Sequence, residues 1–92
     1  EVSLSAPDIA EVANAVSIEV VSRLPGTDRI AILVEKNPFP LAAVFSFPEG
    51  TQPEVITRVK MAQSAQVVAL VRAGGRFHVA KKAVSVTISG CG

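Results

Sequence analysis

What most limits the folds open to this 92-residue chain is a period-two alternation of β-branched residues, carried by fifteen Val and six Ile, that recurs along most of its length. Val16, Ile18 and Val20 alternate with Ser17 and Glu19, and Ile30, Ile32 and Val34 lie between Arg29 and Glu35. Leu41, Ala43, Phe45 and Phe47 alternate with Ala42, Val44 and Ser46; Val55, Thr57, Val59 and Met61 oppose Glu54, Ile56, Arg58 and Lys60. Successive side chains on a strand point to opposite faces, so each segment predicts one strand with one buried face. Residues 65–73 are apolar on both phases, as a central strand requires. Gly74 and Gly75 accept the positive φ angles of a tight hairpin, so residues 76–80 should return antiparallel beside them. Lys81 and Lys82 then predict an exposed turn before a last strand carrying Val84, Val86 and Ile88.

Pro25-Gly26, Pro38, Pro40, Pro48-Glu49-Gly50 and Pro53 all fall between these segments, where a missing ladder donor does least damage. Seven strands, or eight with residues 2–5, predict an all-β, antiparallel β-sandwich. Residues 7–15 are the exception. Ile9, Ala10, Val12 and Ala13 have helical spacing after Ser5-Ala6-Pro7, which predicts a turn or two of helix or an irregular loop.

A 9.6 kDa chain makes one domain and buries only about 60–65% of its unfolded surface. At 49% hydrophobic against 18% charged it is a packed globule rather than a disordered polymer. The net charge of +1, with no basic run longer than Lys81–Lys82, argues against nucleic acid or membrane partners. One Cys and one His cannot supply a zinc ligand set, so neither metal nor cofactor is expected. His78 is the only imidazole available to activate a nucleophile, and a self-sufficient enzyme is therefore not expected. A lone Cys leaves no internal disulfide, so stabilisation must come from packing or a partner. Glu1 opens directly into strand-like sequence, as in a cytosolic chain or the mature or trimmed form of an exported one.

Several surface features have two readings. His78 lies on the phase opposite Phe77 and Val79 and is expected to face solvent without a catalytic role. Arg58, Lys60, Arg72 and Arg76 would hold an anion if they converged, but are better read as the wet faces of strands. In Asn37-Pro38-Phe39-Pro40 the aromatic either caps the core at a strand junction or faces a partner, with capping preferred. Ala31, Leu33, Ala42, Val44 and Ile56 on nominal outer faces exceed what two layers need to bury, so part of that surface should be an interface.

The last four residues, Ser89, Gly90, Cys91 and Gly92, are the most informative. A packing cysteine normally lies within an apolar element, whereas Cys91 follows the last strand between two glycines and should be exposed and mobile. Three residues separate it from Ile88, which gives a reach of about 10 Å. This divides the chain into a sandwich of residues 1–88 and an arm of residues 89–92, in which Ser89, Gly90 and Gly92 give flexibility and access to the Cys91 thiol. On these residues alone an incidental thiol or an interchain disulfide stays open; the glycine flanks favour a thiol that enters a narrow pocket on another protein.

The chain resembles the SoxY family of bacterial sulfur carriers. The resemblance runs through residues 2–11 (VSLSAPDIAE), 35–42 (EKNPFPLA), 57–63 (TRVKMAQ) and 67–70 (VVAL), and is most specific in residues 84–92 (VSVTISGCG). The family usually ends Gly-Gly-Cys-Gly-Gly; here Ser89 replaces the first Gly and one Gly is missing at the end. The resemblance implies an immunoglobulin-like β-sandwich that forms a heterodimer with a small β partner, SoxZ, and uses Cys91 as the covalent attachment point. It also implies partner enzymes acting in the periplasm. A haem enzyme couples thiosulfate oxidatively to the thiol, a hydrolase removes the terminal sulfonate as sulfate, and a sulfane dehydrogenase oxidises the sulfur left behind. Export in the family uses a twin-arginine signal.

Two rivals remain. One is an interaction module whose Cys91 forms an interchain disulfide, giving a disulfide-linked homodimer. The other is a ubiquitin-like carrier, which ends in Gly-Gly and holds sulfur as a thiocarboxylate; the Cys-Gly ending and the absence of a mixed α/β pattern weigh against it.

Overall fold

A computed structural model describes residues 1–87, and the alternating phases become the two inner faces of a β-sandwich. The strands are β1 (Val2–Ser5), β2 (Ile9–Ala10), β3 (Val16–Ser22), β4 (Thr27–Val34), β5 (Leu41–Ser46), β6 (Glu54–Val59), β7 (Ala65–Ala73) and β8 (Arg76–Val86). One sheet has the order β1-β3-β6 and the other β2-β8-β7-β4-β5. Every pairing is antiparallel except β2 with β8. Val16, Ile18 and Val20 from the smaller sheet meet Ile30, Ile32, Val34, Val67, Val71 and Val84 from the larger one, and all nine are fully buried. Burying a Val or Ile side chain stabilises by roughly 1.5–3 kcal/mol, so this aliphatic layer is the main source of cohesion.

β7 lies between β8 and β4, as its two-sided apolar pattern requires. Its hairpin to β8 turns through Gly74 and Gly75 at φ of 59° and 76°, a conformation that costs glycine nothing and a β-branched residue a great deal.

Three expectations need correction, and over residues 7–15 the structure decides between the two readings in favour of the irregular one. Residues 76–86 are one strand rather than two, and Lys81 and Lys82 pair with Val68 and Val67 instead of turning. The long apolar β7 offers a ladder edge along its whole length, and continuous pairing outweighs two polar residues whose side chains form ion pairs with Glu35 and Asp8. His78 faces inward and is half-buried, because it shares the phase of Ala80, Lys82 and Val84; Phe77 and Val79 point out instead. Phase was set by Val84, not by the local aromatic. Leu41 also points outward: the β4–β5 register shifts between Ile32 and Leu33, and a one-residue slip reverses every following side chain. Residues 7–15 hold no helix. Ile9–Ala10 forms a two-residue parallel strand on β8, and the rest is turn and loop. Pro7 sits where the chain leaves the smaller sheet for the larger, a position at which its missing N–H breaks no ladder.

The one buried polar side chain among the described residues is Ser22. Thr27 Oγ1 donates to the Leu24 carbonyl at 2.8 Å, so Ser22 Oγ, 2.6 Å away, must donate to Thr27 while accepting from the Leu24 N–H at 3.2 Å. This closed set ties the β3–β4 corner. Ser22→Ala should destabilise the fold by about 1–3 kcal/mol in urea unfolding, because a largely buried donor is left without a partner; wild-type stability would mean that water replaces the hydroxyl.

Where the β4–β7 register shifts between Thr27 and Arg29, Arg29 and Arg72 are cross-strand neighbours of like charge, and Asp28 offsets part of their repulsion through a two-pronged bond to Arg72 with both distances 2.8 Å. The hydrogen bonds from Arg72 hold the Asp28 carboxyl below its ordinary value. The contribution of this pair is therefore complete above the usual carboxylate range and disappears as pH falls through the lowered value. Asp28→Asn should lower the urea midpoint slightly near neutrality and match wild type in acid strong enough to protonate Asp28; a gap that persisted in acid would assign the effect to packing instead.

Candidate functional site

The proposed thiol, Cys91, and its neighbours Ser89, Gly90 and Gly92 lie outside the described residues. What the structure supplies is the root from which they continue. The end of β8 is gripped on both edges: Ser85 N donates to the Asp8 carbonyl at 2.9 Å and Thr87 N to that of Ala10 at 3.1 Å, while Val86 N donates to Ser64 Oγ at 2.8 Å. The serine hydroxyl takes over where β7 has ended, since the last β7 pair on this side is Ala65 with Val84. Lys82 and Asp8 form an ion pair beside the same strand, and the lysine lowers the Asp8 carboxyl through a hydrogen bond. Backbone hydrogen bonding is thus traced as far as Thr87, the last described residue, and Cys91 is four positions further along the chain.

That spacing limits the chemistry. Four residues reach at most about 14 Å from Thr87. His78 lies nine residues back along an extended strand, about 30 Å from Thr87 at ~3.3 Å per residue. The only imidazole of the chain is therefore no closer than about 16 Å to the only thiol, and cannot act as its base. Among the described residues no three His, Cys, Asp or Glu side chains gather at a metal-sized site.

The positively charged residues do not converge. Arg58 and Lys60 belong to β6 and its exit, on the smaller sheet, whereas Arg72 and Arg76 flank the β7–β8 hairpin of the larger one. Arg72 is engaged by Asp28. The four are separate wet positions, as the simpler reading has it.

Two apolar surfaces stand out instead. The first is the outer face of the five-stranded sheet, where the registers align Val79, Leu70, Ala31 and Val44 in one row and Lys81, Val68, Leu33 and Leu41 in the next. Phe77 and Val79 are 63% and 57% exposed there. Sequence reading found Ala31, Leu33 and Val44 but missed Val79 and Phe77, because it had assigned them to the interior. Ile56, 75% exposed, lies apart on the smaller sheet. The second surface is a groove of about 380 Å³ lined by Ala13, Asn37, Phe39, Lys60 and Ala62 among others. Phe39 does not cap the core; it is 86% exposed. The hydrogen bond from Val34 N to the Pro40 carbonyl closes the loop beneath it, so the aromatic is carried on the tip.

The family described as sulfur oxidation protein SoxY matches residues 1–91, which takes in every strand, the root and Cys91. No curated protein matches the chain. Among solved structures, the sulfur carrier protein SoxY from Chlorobium limicola f thiosulfatophilum superposes with a TM-score of 0.84 at 36% identity, over 95% of this chain and 79% of that one. The order of the strands, the two-sheet architecture and the match through the cysteine-bearing tail agree: the chain belongs to the SoxY family of sulfur oxidation proteins.

Proposed function

We propose that this chain is the covalent carrier of a thiosulfate-oxidising system, and that Cys91 holds the sulfur intermediate while separate enzymes act on it. The observation that carries the reading is the family match through Cys91, joined to likeness with a solved sulfur carrier. The geometry of the root supports it: a thiol within about 14 Å of a firmly paired strand end, and beyond reach of the chain's one imidazole, suits a group presented to other active sites. Loading joins the thiolate to thiosulfate as a thiosulfonate, with two electrons passing to the haem enzyme; hydrolysis then releases sulfate and leaves a sulfane sulfur on Cys91 for the dehydrogenase. Holding the cargo by one bond replaces repeated capture of a small, well-hydrated anion. In this reading residues 89–92 are the arm, the setting is the periplasm, and the catalysts are the partners.

The outer face of the five-stranded sheet supports a heterodimer with a SoxZ-like subunit, because a monomer gains nothing from leaving Phe77, Val79 and Leu41 in water. Paired ions at its two ends, Asp28 with Arg72 and Glu35 with Lys81, frame an apolar centre as interfaces commonly do.

Intact mass spectrometry after incubation with thiosulfate and the coupling enzyme should find one reducible S₂O₃ adduct, absent from Cys91→Ser. The same variant should keep its fold and its partner. A chain that emerged unmodified, or only as a disulfide dimer, would refute the carrier and favour the interaction module. Val79→Asp should leave the isolated fold intact, since the side chain is already in water, yet weaken partner binding by about tenfold or more by burying a charge; undiminished binding would move the interface elsewhere.

A further inference from the structure

The groove beneath Phe39 and the root of the proposed arm occupy the same end of the sandwich. Thr87 is bonded to Ala10, three residues from Ala13 in the groove wall, and Val86 to Ser64, two residues from Ala62 in the same wall. These connections place the lining within about 7–11 Å of the residues that grip the root. Cys91 can travel no more than about 14 Å from Thr87. An active site lies inside a cleft, so an enzyme that takes the thiol to its reacting centre has to bring the rim of that cleft down onto this end.

The groove is built for such a contact. Pro38 and Pro40 fix the backbone on either side of Phe39, so the exposed ring loses little freedom when it is buried. Asn37 ties the loop to the neighbouring turn twice, donating to the Lys60 carbonyl at 2.7 Å and accepting from the Ala62 N–H at 2.8 Å. Its lining is apolar apart from two asparagines and Lys60, and no acidic side chain contributes. An aromatic anchor on a pre-set loop beside a lysine with no ion-pair partner among the described residues fits an apolar rim bearing a carboxylate.

Resting on the reading of Cys91 as the attachment point, we infer that Phe39 and the groove around it are the docking surface for the cleft rim of the enzymes that process the arm. Those enzymes then recognise the carrier by its body as well as by its thiol.

The test uses the carrier with its partner subunit, as wild type, Phe39→Ala, Phe39→Trp and Lys60→Glu. Tetrathionate loads Cys91 without an enzyme: the thiolate attacks a bridging sulfur, forms the thiosulfonate and expels thiosulfate. This rate should be equal in all four proteins, and partner binding should be unchanged. With the thiosulfate-coupling enzyme, Phe39→Ala should raise the KM for the carrier by about tenfold while leaving kcat within about twofold, as loss of a contact anchor does. Phe39→Trp should recover most of the affinity. Lys60→Glu should raise KM in a way that fades with added salt. Saturation of Phe39→Ala at wild-type concentrations, a fall in kcat alone, or release of the partner subunit would each overturn the inference. Wild type that takes up no adduct by either route would instead bring down the carrier reading on which it rests, a failure visible before any variant is measured.

Discussion

Continuous pairing of β8 against β7 is the constraint on which the rest depends. From the Gly74–Gly75 turn to Val84 opposite Ala65, the last strand is held along the most apolar strand of the chain, and its far end is then taken over by β2 and Ser64. The pairing sets which side chains of β8 enter the core. It also carries backbone order without a break to Thr87, at the threshold of the cysteine-bearing tail. A loop at Lys81 and Lys82 would have freed that end from the core; a single strand makes it part of the sandwich.

On the carrier reading, the firmly paired root bears on how a covalently held group would be presented. Three residues stand between Thr87 and Cys91, so chain length confines the thiol to a small volume beside the body. On that reading the same shortness brings any receiving cleft against the body. The one imidazole is built into the opposite end of β8 from the root.

Apolar surface is spent unevenly. The inner faces of the two sheets make a dry aliphatic layer, while the outer face of the larger sheet carries Phe77, Val79, Leu70 and Val44 in positions that a monomer has no reason to leave apolar. Ion pairs at its ends, and the two-pronged Asp28–Arg72 bond above all, offset part of the repulsion between neighbouring arginines on β4 and β7. The molecule therefore has a broad sheet face and, at one end, a small aromatic-tipped groove. Different shapes of contact are available for a permanent neighbour and for transient ones.

Alternation alone sufficed to place β3, β4, β6 and β7 and to name most of the core, since side-chain period on a strand is local and the buried phases of these strands are uniformly aliphatic. The Gly-Gly hairpin was equally legible, from backbone sterics, whereas the reading of the Cys91 tail falls on residues outside those described. Tertiary structure decided what depends on a neighbour. Whether Lys81 and Lys82 turn or pair was settled by the free edge of β7, and the inward phase of His78 by Val84 six residues away. The outward turn of Leu41 came from a register shift that only β4 and β5 together define. Phe39 is the sharpest case: its sequence fits a core cap as well as an exposed anchor, and only the closure of its loop from Val34 to Pro40 puts the ring outside. Local pattern fixes which way a side chain points relative to its own strand; which of those directions is the interior is a property of the sheets that meet.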